Sequence, residues 1–302
     1  MKNMFQRYIP LVILTALFGG CGGGLEEGFD TSTGILFPYQ WVGNIDRVNF
    51  NEPSGIVFYP PRRTLFVVGD EGDICEISPD GVMLRQKRIR NEDFEGITFD
   101  PSSGHLYIAV EGKDTIIEVD PEDFSVLREF PIDRTFNGKT VLGAGGEGIE
   151  GITFVPDPAH PEGGTFYITN QSFDLGSAED ISAVFEVEAP LRSGTGSESK
   201  ARIIGYFPLG VIDLSAIHYD KESDHLYVVS DATNSIFEVT RDGVIVRSYA
   251  FPGDNQEGIA VDDQGYVYIA QDSGGIIKVK WLRKIAESGA MSRRKAIEKS
   301  GR

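Results

Sequence analysis

Five segments of this chain repeat one pattern of short apolar strands, and this repeat constrains the fold more than any other feature. Each first strand contains a small residue followed by isoleucine, and two further β-branched and aromatic strands come after it. Turn sequences such as Pro79-Asp80-Gly81 separate the strands. Units of about 40 or more residues with four strands are typical of β-propeller blades. The first strands are 54–58, 95–99, 150–154, 215–219 and 257–261.

The fifth repeat ends after its third strand, near Val279, so one strand is missing at the carboxyl end of the ring. Residues 39–45 have the composition of a strand and are free to fill that place. We therefore predict an all-β protein, a β-propeller over residues 38–281, closed by an N-terminal strand. The repeats give five blades, and extra strands in the long third repeat would make six.

The amino terminus has the pattern of a secretory signal. Residues 1–20 combine Lys2 and Arg7 with a short apolar run, and Cys21 follows two glycines. This arrangement resembles a bacterial lipobox, in which the cysteine is lipidated, although an ordinary cleaved signal with an incidental cysteine remains the alternative. The glycine-rich segment 21–37 is predicted to be a flexible tether. The expected location is the bacterial cell envelope, with the protein lipid-anchored to a membrane and facing the periplasm or exterior.

The net charge of −18 is unevenly distributed. Residues 278–302 hold nine Lys or Arg and two Glu, and we predict a basic tail over 282–302. The predicted propeller is therefore even more acidic than the whole chain. This charge argues against nucleic acid as a partner, because phosphate groups require a basic surface.

Alignment of the repeats produces two columns of mostly acidic residues. Because adjacent antiparallel strands run in opposite directions, the start of each first strand and the end of each second strand lie at one face. We call this face the acidic mouth. Its inner column is Ser54, Glu95, Glu150, Ser215 and Glu257, and its outer column is Asp70, Glu111, Gln171, Asp231 and Asp272.

Clustered carboxylates require protons, basic partners or a cation, and oxygen ligands suit calcium before magnesium. We predict a calcium site formed by Glu95, Glu150 and Glu257, with Ser54 and Asn170 as further ligands. Asp70, Glu111, Asp231 and Asp272 would add negative charge around it. The alternative is that these acids cap strands by accepting backbone N–H bonds from neighbouring blades.

Three motifs carry a resemblance to a known family: Asp93-Phe94-Glu95-Gly96-Ile97-Thr98, Gly148-Ile149-Glu150-Gly151-Ile152-Thr153 and Gln256-Glu257-Gly258-Ile259-Ala260. They resemble the blade motif of the SdiA-regulated proteins, and more loosely those of NHL-repeat and phytase-like propellers. The likeness covers about residues 38–281. It implies a membrane-associated bacterial propeller and specifies no catalytic residues. Ser54 and Ser215 interrupt the column of glutamates, which argues against a symmetric metal ring.

Two functions are compatible with this pattern. The first is a non-catalytic propeller that binds a ligand or partner protein at the acidic mouth, with calcium as a bound ion. The second is a calcium-dependent hydrolase of phosphoesters or lactones, which would need basic groups to hold a substrate phosphate. Only Lys113, Lys139 and Arg134 stand near the mouth, so the sequence favours binding.

The lipidation hypothesis predicts that Cys21→Ser moves the protein from the membrane fraction to the soluble fraction, because the acyl chains are its only predicted attachment. Immunoblotting of fractionated cells measures the distribution. Continued sedimentation of the variant with membranes would contradict the hypothesis.

Overall fold

A computed structural model describes residues 35–45, 50, 52–144, 148–194 and 199–283. The elements bounded within these ranges are β-strands. No helix in the described part of the chain is long and apolar enough to cross a membrane. The predicted signal, Cys21 and most of the predicted tether and basic tail lie outside the described residues.

Successive groups of four strands pair antiparallel, and we call these groups blades 1 to 5; the outer strands of blades 2 and 3 also pair in parallel, so that these two blades form one eight-stranded sheet. The chain begins with β1 (Ile35–Leu36) and β2 (Tyr39–Asn44). Blade 1 contains β3 (Pro53–Tyr59), β4 (Thr64–Gly69), β5 (Asp73–Ile77) and β6 (Met83–Arg88). Blade 2 contains β7 (Phe94–Phe99), β8 (Leu106–Val110), β9 (Thr115–Val119) and β10 (Val126–Asp133). A hairpin of β11 (Thr135–Phe136) and β12 (Lys139–Thr140) follows.

The remaining strands repeat the same order. Blade 3 contains β13 (Ile149–Pro156), β14 (Gly164–Asn170), β15 (Ala183–Glu188) and β16 (Ala201–Pro208). Blade 4 contains β17 (Ala216–Asp220), β18 (His225–Ser230), β19 (Ser235–Thr240) and β20 (Ile245–Ala250). Blade 5 contains β21 (Gln256–Val261), β22 (Tyr266–Gln271) and β23 (Ile276–Trp281), with β2 as its fourth strand.

The first strands of the blades line a central axis. In the order β3, β7, β13, β17 and β21, each first strand contacts the next, and β21 contacts β3, so the ring is closed. The apolar residues of the repeats pack between neighbouring blades. The predicted all-β propeller is confirmed.

The ring is closed by the N-terminal strand, as predicted. Strand β2 pairs antiparallel with β23, and Tyr39 lies opposite Trp281. The short β1 also pairs, in parallel, with the outer strand β20 of blade 4. Residues 35–44 therefore join the outer edges of two blades, a contact that the repeat pattern does not predict.

Glycines allow the first strands to approach one another closely. A methyl group on Gly55 would lie 2.4 Å from the carbonyl oxygen of Glu95, and one on Gly96 would lie 2.6 Å from that of Glu150. Gly258 meets the carbonyl oxygen of Ser54 in the same way, at 2.6 Å. The space that any other side chain would need is filled by the backbone of the next blade.

The charged residue in the third strand of several repeats is buried and forms an ion pair. In blade 1, Glu76 accepts a 2.6 Å bond from Arg85, whose guanidinium also donates to the carbonyl oxygens of Pro121 and Glu122 in the next blade. In blade 2, Arg128 pairs with Glu118 and donates at 2.9 Å to the Leu191 carbonyl of blade 3. These arginines join consecutive blades near the rim and neutralise the buried glutamates.

Gly96→Ala is expected to destabilise the propeller by about 1–3 kcal/mol, because the added methyl group meets backbone atoms that cannot move independently. Thermal unfolding followed by circular dichroism measures the loss. Gly205→Ala is the matched control, since its methyl group would find its nearest neighbour, the Glu186 carboxylate, at 3.8 Å. Equal stability of both variants would contradict the close-approach argument.

Candidate functional site

The two predicted columns meet at one axial face of the propeller. The hydroxyl of Ser54, in the inner column, donates a hydrogen bond to Asp70 in the outer column. Repulsion from Asp231, Asp213, Asp272 and Asp70, which come from three different blades, adds to the effect of burial in raising the pKa of Glu257. The acidic mouth predicted from the repeats is therefore a real juxtaposition of side chains.

A β-bulge lies at the inner column in four blades. The pairing register of the first two strands shifts between Pro53 and Gly55, between Phe94 and Ile97, between Ile149 and Ile152, and between Gln256 and Gly258. A bulge adds one residue to its strand and turns a side chain out of the regular alternation. The inner-column residues of these four blades, which include Glu95, Glu150 and Glu257, therefore lie in the irregular part of their strands.

The outer column largely follows the capping alternative. Asp231 accepts a 3.0 Å bond from the backbone N–H of Gln256 in the next blade. Glu111 accepts a longer bond, 3.4 Å, from the N–H of Gly148 in the next blade. Asp70 is held by Ser54. Asp231 and Glu111 thus connect one blade to the next, whereas the bond of Asp70 to Ser54 lies within blade 1.

Within the described part of the chain, no backbone N–H or hydroxyl group donates to the inner glutamates. Glu95 lies within hydrogen-bonding reach of two other carboxyl groups, those of Asp93 and Glu150, and Glu111 also reaches Asp93. Glu257 has a buried carboxylate oxygen without a hydrogen-bond partner among the described residues. An ionised carboxylate can only accept hydrogen bonds. Each contact between two carboxyl groups therefore requires a shared proton or a bridging cation.

Burial and mutual repulsion raise the pKa values throughout the mouth. Burial, aided by neighbouring acids, raises the pKa of Asp70 to about 6, that of Glu111 to about 7 and that of Glu257 to about 8. Burial and then the nearest carboxylates raise the pKa values of Glu95 and Glu150 well above the ordinary range of glutamate. Near neutral pH the mouth is thus partly protonated and ready to exchange protons for a cation.

Asp93 and Asp213 are site residues that the two columns do not include. Each stands two residues before an inner-column position, and each has one buried carboxylate oxygen without a partner in the described structure. Asp213 is only 5% exposed. A third aligned column would have revealed these acids. It reads Glu52, Asp93, Gly148, Asp213 and Asn255.

One group of three acids has the spacing of a metal site. Asp70, Asp93 and Glu95 each offer a carboxylate oxygen, and the three oxygens lie within 4.8 Å of one another. Oxygens that bind one calcium ion at 2.3–2.6 Å are separated by at most about 5 Å. The group joins one predicted metal ligand, Glu95, to an outer-column acid and to an acid that sequence reasoning missed.

Two residues predicted as additional ligands have other bonds. Besides its bond to Asp70, the Ser54 hydroxyl contacts the carbonyl oxygen of Glu52 at 3.3 Å. The amide of Asn170 donates to Asp180 at 3.1 Å and accepts from the N–H of Ala183 at 3.2 Å. Asn170 thereby fixes a loop of blade 3, whereas Ser54 positions an acid of the mouth.

Two long connections at this face, one between blades 2 and 3 and one between the second and third strands of blade 3, border a common cleft. Residues 134–144 and 177–180 enclose a volume of about 730 Å³, and the Asp180 carboxylate accepts a 2.9 Å bond from the N–H of Gly143. The basic groups nearby are engaged by acids: Lys113 pairs with Glu92, and the guanidinium of Arg134 lies 3.7 Å from Asp114. Lys139 is exposed in the hairpin.

The raised pKa values predict that stability falls as pH rises from 7 to 8.5. The folded state holds the protons of Glu111, Glu257 and their neighbours more tightly than the unfolded state does. The free energy of unfolding therefore decreases as these protons dissociate. We expect the melting temperature in a chelating buffer to fall by at least about 4 °C over this window.

Glu257→Gln should flatten this profile, whereas Glu179→Gln, which removes an exposed acid of the same face, should leave it unchanged. The window starts at pH 7 because burial lowers the pKa of His218 to about 4, which makes stability rise with pH below 6.5. A melting temperature that is constant or rises between pH 7 and 8.5 would contradict the prediction.

The chain was compared with known families and structures. A family model described as SdiA-regulated matches residues 39–273. The crystal structure of Myxococcus xanthus glutaminyl cyclase is similar, with a TM-score of 0.57, 12% identity, and coverage of 82% of this chain and 97% of that chain. The β-propeller domain of Myceliophteria thermophila Cps50 (Swd1) gives a TM-score of 0.41, 13% identity, and coverage of 74% and 63%.

At this level of identity, the glutaminyl cyclase supports the propeller fold alone. The family match is a stronger finding because it spans more than half of the chain and includes all of the acidic columns. This protein belongs to the SdiA-regulated family.

Proposed function

We propose that this protein is a membrane-anchored, extracytoplasmic propeller whose acidic mouth holds a calcium ion and binds a ligand or partner protein through it. The observation that carries the proposal is the set of contacts between carboxyl groups, from Glu111 through Asp93 and Glu95 to Glu150. Two ionised carboxylates about 4 Å apart repel by about 4 kcal/mol at an effective dielectric of 20. A divalent cation removes that repulsion.

Asp70, Asp93 and Glu95 form the first binding position because their oxygens are close enough to share one ion. Their donors are all hard carboxylate oxygens, which favours calcium over the softer transition metals. Glu150 and Glu257 stand beside this group and add charge. A calcium ion bound by these three carboxylates would still have open coordination positions, which water or an oxygen atom of the ligand could occupy.

Binding is favoured over phosphoester hydrolysis because two of the three basic groups near the mouth, Lys113 and Arg134, already have acidic partners. Lys113 and Arg134 already face Glu92 and Asp114, so neither is free to hold a substrate phosphate. The enzymatic alternative, a calcium-dependent hydrolase of phosphoesters or lactones, is supported by the near-neutral pKa values of Glu111 and Glu257, which suit acid–base catalysis. One protein of similar fold is a glutaminyl cyclase, which is an enzyme, so the fold is compatible with either role.

Calcium is expected to bind with a measurable heat and to raise the melting temperature at millimolar concentration. Asp93→Asn and Glu95→Gln should each weaken binding by about tenfold or more, since each removes a charged ligand. Binding should be tighter at pH 8 than at pH 6, because calcium displaces protons from the same oxygens. Isothermal titration calorimetry measures all three effects, and Glu179→Gln is the control for lost surface charge.

Two results would contradict this proposal. The first is the absence of both binding heat and thermal shift with millimolar calcium. Shared protons would then explain the contacts between carboxyl groups. The second is turnover of phosphomonoesters, phosphodiesters or lactones that requires calcium and is lost in Glu150→Gln. That result would replace the binding role with an enzymatic one.

A further inference from the structure

A cavity of about 710 Å³ lies at the face of the propeller opposite to the acidic mouth. Every first strand starts at the mouth, so its last residues lie at this opposite face. The cavity is lined by the ends of three first strands, those of blades 4, 5 and 1, and by the end of β23 with the two residues that follow it. Its volume is within the range of small-molecule sites, about 300–1,000 Å³. We call it the His218 cavity.

His218 is the unusual residue of this lining. The equivalent positions of the other first strands hold Val57, Thr98, Thr153 and Ala260. In blades 2 and 3, the threonine hydroxyl accepts a 3.1 Å bond from a backbone N–H of the next blade, that of Phe154 or Tyr219. The imidazole of His218 has no hydrogen-bond partner among the described residues. The contacts that join the blades therefore do not explain a histidine at this position.

The imidazole of His218 is uncharged at neutral pH. Burial lowers its pKa to about 4, an effect that Asp220 opposes and Arg283 reinforces. A neutral imidazole has one N–H donor and one nitrogen acceptor. The side chain is only partly buried and lines the cavity, so both groups are available to a molecule bound there.

Apolar side chains from the same three blades form another part of the wall. Phe58 comes from blade 1, Tyr219 from blade 4, and Val261 and Trp281 from blade 5. Phe58 and Trp281 are only 5% and 8% exposed, so packing holds their rings in place. Rigid aromatic side chains favour a ring-shaped apolar ligand, because rings pack well against the faces and edges of other rings.

The acids of the lining already have partners. Asp262 accepts hydrogen bonds from the backbone of the turn and strand that follow it and from the phenol group of Tyr268. The other three acids form the ion pairs Asp220–Arg283, Glu222–Arg283 and Asp263–Arg63. The negative charge of this face is therefore largely neutralised, in contrast to that of the mouth.

The two lysines of the lining, in contrast, have no acidic partner in the described part of the chain. Lys221 is exposed in the turn after β17. The ammonium group of Lys280 donates to the carbonyl oxygen of Gln264 and lies 4.4 Å from the centre of the Tyr266 ring. The rim of the cavity thus carries positive charge that no carboxylate balances, in a protein whose net charge is −18.

We propose that the His218 cavity is a second binding site, which takes a small organic anion composed of an apolar ring and a carboxylate or sulfonate group. The ring lies against Phe58 and Trp281, and the anionic group lies at Lys221. A polar atom of the ligand bonds to the imidazole of His218. The site is separate from the acidic mouth and requires no calcium, so the two faces bind ions of opposite charge.

Two related dyes test this assignment. Anilinonaphthalene sulfonate combines aromatic rings with an anionic group, whereas N-phenylnaphthylamine has the same rings and no sulfonate. Both dyes become fluorescent in apolar surroundings, so a fluorescence titration gives the dissociation constant of each. All measurements use the Cys21→Ser background, in which no acyl chain adds another apolar site for the dyes.

We expect the sulfonate dye to bind more tightly than the uncharged dye. His218→Val should weaken binding of the sulfonate dye by about threefold or more, because a hydrogen bond is lost. Valine is the residue of blade 1 at this position, so the variant is expected to fold, and circular dichroism checks this. Lys221→Gln should weaken binding of the sulfonate dye alone, by about twofold or more, and by less at high salt.

Lys139→Gln is the matched control, since it removes an exposed lysine at the mouth face and should change neither affinity. Equal affinity for the two dyes would overturn the proposal. Absence of binding would overturn it as well, and so would binding of the sulfonate dye that neither His218→Val nor Lys221→Gln weakens. Asp93→Asn, which tests the calcium site, should leave dye binding unchanged, so failure of one proposal is distinguishable from failure of the other.

Discussion

The contact between glycine and the neighbouring backbone at the axis is the constraint on which the rest of the structure depends. Gly55, Gly96 and Gly258 each face a carbonyl oxygen of the next first strand, at distances that leave no room for a side chain. The carbonyl in each case belongs to an inner-column residue: Glu95, Glu150 or Ser54. The same close approach that closes the ring therefore draws the acidic side chains of different blades into one small volume. The close approach of the first strands thus causes both the closure of the ring and the repulsion between acids at the mouth.

The protein deals with its acids in two different ways. Near the rim, Glu76 and Glu118 are buried but have arginine partners, and those arginines continue to carbonyl groups of the next blade. At the mouth, Glu95, Glu150 and Glu257 have raised pKa values and, among the residues that the structure describes, no basic partner, because the adjacent strands present further acids. Paired acids stabilise the scaffold. Unpaired acids repel one another and destabilise the folded state. Bound protons or a cation remove this repulsion, which is the physical basis for the proposed calcium site.

The polarity of the whole domain follows from strand direction. Every first strand starts at the mouth, so the third strand of blade 5 also starts there and ends at the opposite face, where the N–H of Leu282 bonds to the carbonyl of Pro38. The N-terminal closing strand must be antiparallel to it and begins where it ends. Residues 35 and 36 instead pair in parallel with Tyr249 and Ala250, at the end of β20 that lies on the mouth side.

The sequence alone determined the strand repeat, the small residue of each first strand, the acidic columns at one face and the closing strand at residues 39–45. These follow from local composition and from the antiparallel direction of adjacent strands, which one chain pattern specifies. Tertiary structure alone decided that Glu111 and Asp231 cap neighbouring strands while Glu95 and Glu150 face other carboxyl groups. It also brought Asp93 beside Asp70 and turned Asn170 toward Asp180. These outcomes depend on bulges and on contacts between blades, which join residues that are distant in the chain.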